Sequence, residues 1–284
     1  MKYNSLSPST KNEICNVLND AFSDYVIPFS IPTERFERIN ERRGSDYKLS
    51  TGAYHEDVLV GFIINACDTW NEKKTIYDCF TGVVPEHKRN GIANQMFEFS
   101  FSKSQKLGME QYMLEVITSN FKAHELYFKK GFNISRHFNI FREKISNITP
   151  VKLKCNIRIE KTELPDWDMY DTFQDILPSW QNSHNSIKRT FDDFDIFHAY
   201  QQDVLAGYMI AERNTGDIPQ LAVKDSYRRN GIASALLKEF CIGRCKDSSL
   251  SFLNIDSRCE SFNNFAKAIK LPTIVNQYEM IKEF

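Results

Sequence analysis

The sequence lacks several short motifs that define a class of function. Its 284 residues contain no CxxC pair, no GxG and no GxxxxGK[ST] segment. These absences argue against a zinc ribbon, a dinucleotide fingerprint and a Walker phosphate loop. The seven cysteines are scattered and odd in number, which favours free thiols and predicts no metal site. Because the formal net charge is -1 and no long basic run occurs, nucleic acid is not an expected partner.

Long apolar stretches are also missing. The purest apolar run, VLVGFII at 58–64, is too short to span a bilayer. The first residues, MKYNSLSPSTKNEIC, have no apolar core of the kind that a signal peptide needs. We therefore expect a cytoplasmic protein without a membrane partner. The apolar fraction of 42% and the charged fraction of 26% are typical of a globular protein.

The most informative feature of the chain is an internal repeat. The pentapeptide RNGIA occurs at 89–93 and again at 229–233. AYHEDVLVGFII at 53–64 also aligns without a gap with AYQQDVLAGYMI at 199–210, and 7 of the 12 positions are identical. A repeat of this length predicts two similar domains. We place them at 1–149 and 150–284, with the boundary in the polar stretch around Pro150.

The periodicity within each repeat predicts mixed α/β domains. An antiparallel meander is followed by a strand, a helix and a further strand. In the first repeat we predict helices at 9–22, 31–44, from 92 onward and at 120–131, and strands at 47–57, 58–68, 75–84, 111–118 and 132–145.

The repeated RNGIA segment lies between a predicted strand and a predicted helix. A helix that begins directly after a strand presents free N–H groups and the positive end of its dipole, which attract an anion such as phosphate. Gly91 permits a positive φ and a close approach of ligand to backbone. Lys88 and Arg89, with Arg228 and Arg229 in the second repeat, would add positive charge. The alternative is a plain helix start with solvated basic residues, but the repetition in the same context favours a ligand.

This pattern resembles the acyl-CoA pyrophosphate loop of the GNAT superfamily of N-acetyltransferases, (Gln/Arg)-x-x-Gly-x-(Gly/Ala) after a strand ending in Val-x-Pro. Here it reads Val83-Val84-Pro85 and Lys88-x-x-Gly91-x-Ala93, and Val223 with Arg228-x-x-Gly231-x-Ala233. The resemblance implies two GNAT-like domains in tandem, an α/β fold with a mixed sheet, acetyl-CoA as cosubstrate and no metal. It implies that acetyl-CoA is bound by Val83, Val84, Lys88, Arg89, Asn90, Gly91, Ile92, Ala93 and Asn120, and by Val223, Arg228, Arg229, Asn230, Gly231, Ile232 and Ala233. Lys88 departs from the pattern, with little expected effect because the family binds the anion mostly through backbone N–H groups.

The resemblance also implies a reaction, the transfer of an acetyl group to a primary amine. Tyr127 lies where the family places a general acid for the departing thiolate, and its alternative role is a core tyrosine. Asn120 lies where the family contacts the pantetheine arm, and it is also a candidate helix cap. Asp78 is the first candidate for the base and Glu115 the second, because each is a carboxylate in an otherwise apolar strand. A water chain without a side-chain base is the alternative.

The second repeat lacks these groups. In the alignment Ala266 replaces Tyr127, Cys259 replaces Asn120 and Ile218 replaces Asp78. We therefore predict that the second domain is catalytically weak or silent and has a structural role, although its loop could bind CoA.

The acceptor is the least defined part of the prediction. Asp24, Tyr25 and Phe29 lie between the first two helices, where the family builds its acceptor wall; the alternative is an aromatic core under a loop. A small-molecule or peptide amine is the expected partner, and the chain is expected to be a monomer or a homodimer. Two rival functions remain open: a non-catalytic acyl-CoA-binding or sensing module, and a protein-interaction scaffold that binds no CoA.

Overall fold

The computed structural model describes residues 1–25, 27 and 29–284. The chain divides into two compact units. The first contains Met1–Arg136 and Tyr278–Phe284, and the second contains His137–Gln277. Among the described residues, no helix has the length and the apolarity to cross a membrane.

The first helices and strands follow the predicted order, except that the first strand was not predicted. They are β1 (Lys2–Ser5), α1 (Lys11–Ala21), α2 (Thr33–Arg43), β2 (Thr51–His55), β3 (Val58–Trp70), β4 (Lys73–Val83), α3 (Ile92–Lys106), β5 (Gln111–Ile117), α4 (Phe121–Lys129) and β6 (Asn133–Lys144).

The second unit repeats this order after residue 157. Its elements are β7 (Arg158–Thr162), α5 (Trp167–Asp171), α6 (His184–Arg189), β8 (Phe194–Gln201), β9 (Val204–Glu212), β10 (Gln220–Val223), α7 (Ile232–Cys241), β11 (Ser249–Asp256), α8 (Glu260–Ala268) and β12 (Thr273–Glu283).

Local sequence explains where the first helices begin and end. The Thr10 side chain accepts a hydrogen bond from the Glu13 N–H, and the Thr10 N–H donates one to Glu13 Oε2, which is a capping box. Gly44 ends α2 with φ 79°, a left-handed conformation that glycine adopts without strain. The sequence prediction of both helices is confirmed.

The sheet of the first unit is mixed, as predicted. Strands β1 to β4 form an antiparallel meander, and β5 pairs with β4 in parallel. The next neighbours are β12 and then β6. One face packs against α3 and α4 through buried Met96, Phe97 and Tyr127, with Phe132 in the same core. Helix α3, which begins directly after the first RNGIA loop, is therefore fixed by the core.

Strand β4 has a bulge halfway along its length. Ile64 pairs with Phe80 and Asn65 with Asp78, so Cys79 is an extra residue on β4. A bulge shifts the alternation of side chains between the two faces of the sheet. The pairing of β4 with β5 covers only Thr75–Asp78 and Gln111–Leu114. Beyond Asp78 the two parallel strands are unpaired, which leaves a V-shaped opening with Asp78 at its apex.

The second unit shows the same opening. Strands β7 to β10 form an antiparallel sheet, and β11 makes a parallel bridge between Ser251 and Asp217 just before β10. Beyond that bridge β10 and β11 line a cavity of about 910 Å³. The repeat seen in the sequence is therefore a repeat of the fold.

The last strand belongs to both units by its residue range. β12 begins within the second unit, and its residues from Tyr278 onward lie in the first. The predicted ranges 1–149 and 150–284 differ from these compact units, because β6 changes unit at Arg136 and β12 changes back at Gln277. No local pattern marks such a return, since strand pairing is set by partners far away in the sequence.

Candidate active site

The first RNGIA loop has the geometry of an open anion site. A short 3₁₀ turn at Pro85–His87 is followed by Arg89 with φ 66° and Gly91 with φ 74°. Helix α3 then begins at Ile92, and no side chain among the described residues caps its N-terminus. A methyl group added to Gly91 would meet nothing within 4 Å. The free N–H groups of the first turn are therefore accessible to a negatively charged group.

The second loop has the same backbone conformation. A 3₁₀ turn at Asp225–Tyr227 precedes Arg229 with φ 61° and Gly231 with φ 84°, and α7 begins at Ile232. Its surroundings differ, because a methyl group added to Gly231 would lie 2.6 Å from the Lys152 carbonyl oxygen. Identical sequence thus gives identical local structure in two different environments.

The first basic residue of each loop, Lys88 or Arg228, contacts the segment just after the first helix of its unit. Lys88 Nζ donates to the Ala21 carbonyl at 3.1 Å and forms an ion pair with Asp24. The hydrogen bond from Lys88 lowers the pKa of the Asp24 carboxyl. Arg228 likewise pairs with Asp175 at 2.8 Å. These contacts pair the side chains of Lys88 and Arg228 with carboxylates of the chain. One of these carboxylates is Asp24, the predicted partner of an acceptor ammonium.

Asp78 lies at the apex of the V-shaped opening and is only 7% exposed. Thr81 Oγ1 donates to Asp78 Oδ2 at 2.5 Å, whereas Oδ1 is buried without a hydrogen bond to any described residue. Burial raises the pKa of Asp78 to about 7, against the opposing effects of Thr81 and the Arg43 guanidinium. A carboxyl with this pKa exchanges a proton near neutral pH, as a general base must.

Tyr127 is brought close to Asp78 by the packing of α4. Its ring lies edge-on to Phe97 and is 5.8 Å from Phe132, centroid to centroid. Burial, followed by the charge of Asp78 and by Tyr25, raises its pKa well above 10. Tyr127 therefore retains its proton at neutral pH, and the two predicted catalytic residues share one site.

Asn120 and Tyr25 connect the two sides of this site. The Asn120 side chain accepts from the Ala123 N–H at 3.2 Å, which makes it the N-cap of α4, and its Nδ2 donates to the Tyr25 hydroxyl at 3.3 Å. Burial raises the pKa of Tyr25. Tyr25 and Phe29 both pack on Phe22, at centroid distances of 4.9 Å and 4.7 Å. Two predicted acceptor residues thus belong to one aromatic cluster.

A second carboxylate lies on β5, where Glu115 is half-buried and its Oε1 is buried. Tyr77 donates its hydroxyl hydrogen to Glu115 Oε2 at 3.0 Å. Burial raises the pKa of Glu115 to about 7, and Arg43 acts in the opposite direction. Sequence reasoning missed Arg43 and Thr81, because an arginine in the last turn of a helix is already explained by the helix dipole and a threonine is common in strands.

His124, on α4, is also buried. Its Nε2 lies 3.0 Å from the Ile117 carbonyl oxygen. This contact explains the histidine as a link between α4 and the end of β5. Within the described ranges, no group of three or more His, Cys, Asp or Glu side chains could hold a metal ion.

The cleft of the second unit lacks the corresponding groups. Its α8 starts after Cys259, as α4 starts after Asn120, and no described side chain caps α8. Ala266 lies seven residues after that cap, where the first unit has Tyr127, and it is buried in the core. Ile218, at the position of Asp78, is buried as well. This cavity therefore has neither the apex carboxylate nor the tyrosine.

Family models match both units. The model described as "Acetyltransferase (GNAT) family" matches residues 12–132, and the model described as "Acetyltransferase (GNAT) domain" matches residues 167–267. Together they cover well over half of the chain. A search of curated proteins found no match.

Solved structures resemble the whole chain at low identity. A tandem GNAT protein from the clavulanic acid biosynthesis pathway is 12% identical, with a TM-score of 0.75 over 99% of this chain and 98% of that one. A GCN5-related N-acetyltransferase from Sphaerobacter thermophilus is 15% identical, with a TM-score of 0.73 over 99% and 95%. A putative acetyltransferase from Pyrococcus horikoshii is 15% identical, with a TM-score of 0.68 over 100% and 89%. At these low sequence identities, the similarity to the solved structures shows the fold alone.

Proposed function

Since the chain belongs to the GNAT acetyltransferase family as a tandem member, we propose that it transfers an acetyl group from acetyl-CoA to a primary amine in the cleft of its first unit. The observation that carries the proposal is that the first unit combines three features. They are the uncapped N-terminus of α3 behind Gly91, the buried carboxylate of Asp78 and the hydroxyl of Tyr127.

Binding of acetyl-CoA would use backbone more than side chains. The N–H groups of the first turn of α3 supply donors for the diphosphate, and the open space at Gly91 admits it. The unpaired edges of β4 and β5 beyond Asp78 would accept the pantetheine amides. Asn120 is engaged as the cap of α4, so it would hold the wall of this channel in place.

The proposed reaction is a direct attack. The amine nitrogen bonds to the thioester carbonyl carbon, and the carbon–sulfur bond breaks. Asp78 accepts the proton that the amine loses, because its pKa of about 7 leaves it ionised in part at neutral pH. Tyr127 donates a proton to the departing thiolate, since its raised pKa keeps it protonated until then.

The aromatic cluster of Tyr25 and Phe29 suits an amine with an apolar portion next to its nitrogen. The carboxylates Asp78 and Glu115 disfavour an acidic acceptor, because like charges repel strongly where water is excluded.

The test is a screen of primary amines with acetyl-CoA and the full chain. Product and free CoA should be separated by chromatography, because the exposed thiols of Cys67 and Cys245 would react with a thiol reagent. Tyr127→Phe is expected to lower kcat by about 100-fold, the size of a lost general acid, with little change in acetyl-CoA binding. Tyr54→Phe is the matched control, because Tyr54 lies on β2, outside the cleft, and its hydroxyl contacts Ser9.

Three outcomes separate the alternatives. Acetylation that depends on Tyr127 supports the proposal. Acetyl-CoA binding without acetylation of any amine would favour the sensing module. If the protein does not bind acetyl-CoA, the protein-interaction scaffold is the function that remains.

A further inference from the structure

The second RNGIA loop is covered by the chain itself. The segment Val151–Cys155, which we call the strap, crosses it with a hydrogen bond at each end. The Val151 N–H donates to Ser234 Oγ at 2.8 Å, and the Lys154 N–H donates to the Asn230 carbonyl oxygen at 2.9 Å. All of these residues belong to the second unit.

Between these two hydrogen bonds the strap lies directly over the loop glycine. A methyl group added to Gly231 would be 2.6 Å from the Lys152 carbonyl oxygen and 2.9 Å from the Leu153 Cα. These distances are shorter than any ordinary carbon contact, so the strap and the loop already touch. At the first loop, the same construction on Gly91 meets nothing within 4 Å.

The difference does not come from the loops. Both have the sequence RNGIA and the same backbone conformation. The residue that follows is Asn94 in the first and Ser234 in the second, and the Ser234 hydroxyl holds the strap. The sequence thus differs at the position that makes the contact.

We propose that the strap occupies the diphosphate position of the second loop, so that the chain binds one acetyl-CoA, in its first unit. The Lys152 carbonyl oxygen brings to Gly231 the partial negative charge that a phosphate oxygen would bring to Gly91. A diphosphate would have to displace the backbone of the strap and break both hydrogen bonds.

The cavity behind the strap fits this assignment. Its volume of about 910 Å³ extends from the loop to α8, and Val151 forms part of its wall at the loop end. Gly231, Ile232, Ala233 and Ser234 also line this cavity, and the strap contacts the loop at Gly231. The second loop has the backbone conformation of the first, but the Lys152 carbonyl oxygen lies where a phosphate would bind. This inference rests on the proposed function only in the choice of acetyl-CoA as the probe.

The test is hydrogen–deuterium exchange on the full chain, with and without acetyl-CoA. Without ligand, we expect the amides of residues 151–155 to exchange more slowly than those of a free peptide. Acetyl-CoA should slow exchange over 89–96 and leave 229–236 unchanged. Calorimetric titration should give one site, which Gly91→Glu removes.

A variant chain releases the strap. Ser234→Ala combined with Lys154→Pro removes one acceptor and one donor, and it should raise exchange at 151–155 several-fold and give a second acetyl-CoA site at 229–236. If the double variant does not fold, Ser234→Ala alone is tested. It should give a smaller rise in exchange at 151–155, because it removes only one of the two hydrogen bonds.

Two results would overturn the proposal: slower exchange at 229–236 in the wild type with acetyl-CoA, or strap amides that exchange as fast as a free peptide. Protected strap amides with no effect of acetyl-CoA at either loop would support the strap and overturn the proposed function instead.

Discussion

At the scale of single residues, Asp78 shows how environment turns an ordinary side chain into a candidate base. The sequence identified it as a carboxylate in an apolar strand. The structure adds the bulge at Cys79, which shifts the side-chain alternation of β4 at this point, and the burial that raises its pKa to about 7. Neither is visible in the sequence, because a bulge depends on the register with β3 and burial depends on the helices packed above.

Asp78 also predicts how rate depends on pH. As a base it must be ionised, so kcat/KM should rise as the pH increases through about 7 and then level off. Asp78→Asn should lower kcat/KM by about 100-fold and abolish this rise. The measurement is initial rate against pH with a single amine. A rise through the same pH in Asp78→Asn would assign the titration to another group, such as Glu115.

The same carboxyl predicts a dependence of stability on pH. Its pKa in the folded protein is raised, so the native state binds more protons than the unfolded chain between pH 4 and 7, and stability falls as the pH rises through this window. Asp78→Asn should therefore stabilise the protein at pH 8 by about 1–3 kcal/mol and have little effect at pH 4. Urea unfolding at the two pH values measures this difference, and equal effects at both would contradict it.

At the scale of elements, the loop between β4 and α3 was the most predictable part of the chain. A glycine between a strand and a helix, repeated in the same context, was enough to predict its place and its open N-terminus. The surroundings of the loop were not predictable. That Lys88 would pair with Asp24, and that the strap would cover Gly231, depends on segments far from each loop in the sequence.

Gly91 can be tested against a glycine of equal conformation. Gly91 and Gly108 have φ of 74° and 68°, and added methyl groups meet nothing within 4 Å at either. Gly91→Glu should abolish acetyl-CoA binding in calorimetry, because a carboxylate would compete with the diphosphate for the α3 N-terminus. Gly108→Glu carries the same backbone strain and charge at the other end of α3. Loss of binding in both variants would point to unfolding rather than to the loop.

The strap predicts a difference among glycine-to-alanine variants. Gly91→Ala and Gly108→Ala should each cost about 1 kcal/mol, the penalty of a left-handed conformation for a side chain. Gly231→Ala should cost about 1–3 kcal/mol more, because its methyl group would overlap the Lys152 carbonyl oxygen. Denaturant unfolding of the three variants makes the comparison, and equal costs would mean that the strap does not press on the loop.

At the scale of the whole molecule, the sequence predicted two similar α/β units and missed the return of the last strand. Local periodicity reports whether a segment is a strand, and it does not report which sheet the strand completes. In the first unit, Arg136 and Glu279 form a buried pair with hydrogen bonds of 2.8 Å and 2.5 Å. Phe284 packs on Phe101 and Tyr112. These contacts join residues that are far apart in the sequence.

The returning strand makes the first unit sensitive to changes near the C-terminal end of the sequence. Glu279→Gln should cost about 3–5 kcal/mol, because it leaves the Arg136 charge buried without a full counter-charge. Glu283→Gln is the control, since its pair with Lys73 is exposed and is worth at most about 1 kcal/mol. Both variants are compared with the wild type by thermal unfolding. Acetyl-CoA is added in a second series, because it should stabilise the unit to which it binds. Equal losses of stability in the two variants would show that the buried ion pair stabilises the first unit no more than the exposed one.

The exchange of this strand has a consequence for how the protein is made. Translation proceeds from the N-terminus, and Tyr278 leaves the ribosome 142 residues after Arg136. At roughly 5–20 residues per second this takes about 7–28 s, during which the edge of β5 that β12 later pairs with is uncovered. Nascent chains would therefore present an incomplete sheet edge, the kind of surface that recruits chaperones or joins two chains by mutual exchange. The sheet of the first unit is therefore completed only after the second unit has been synthesised.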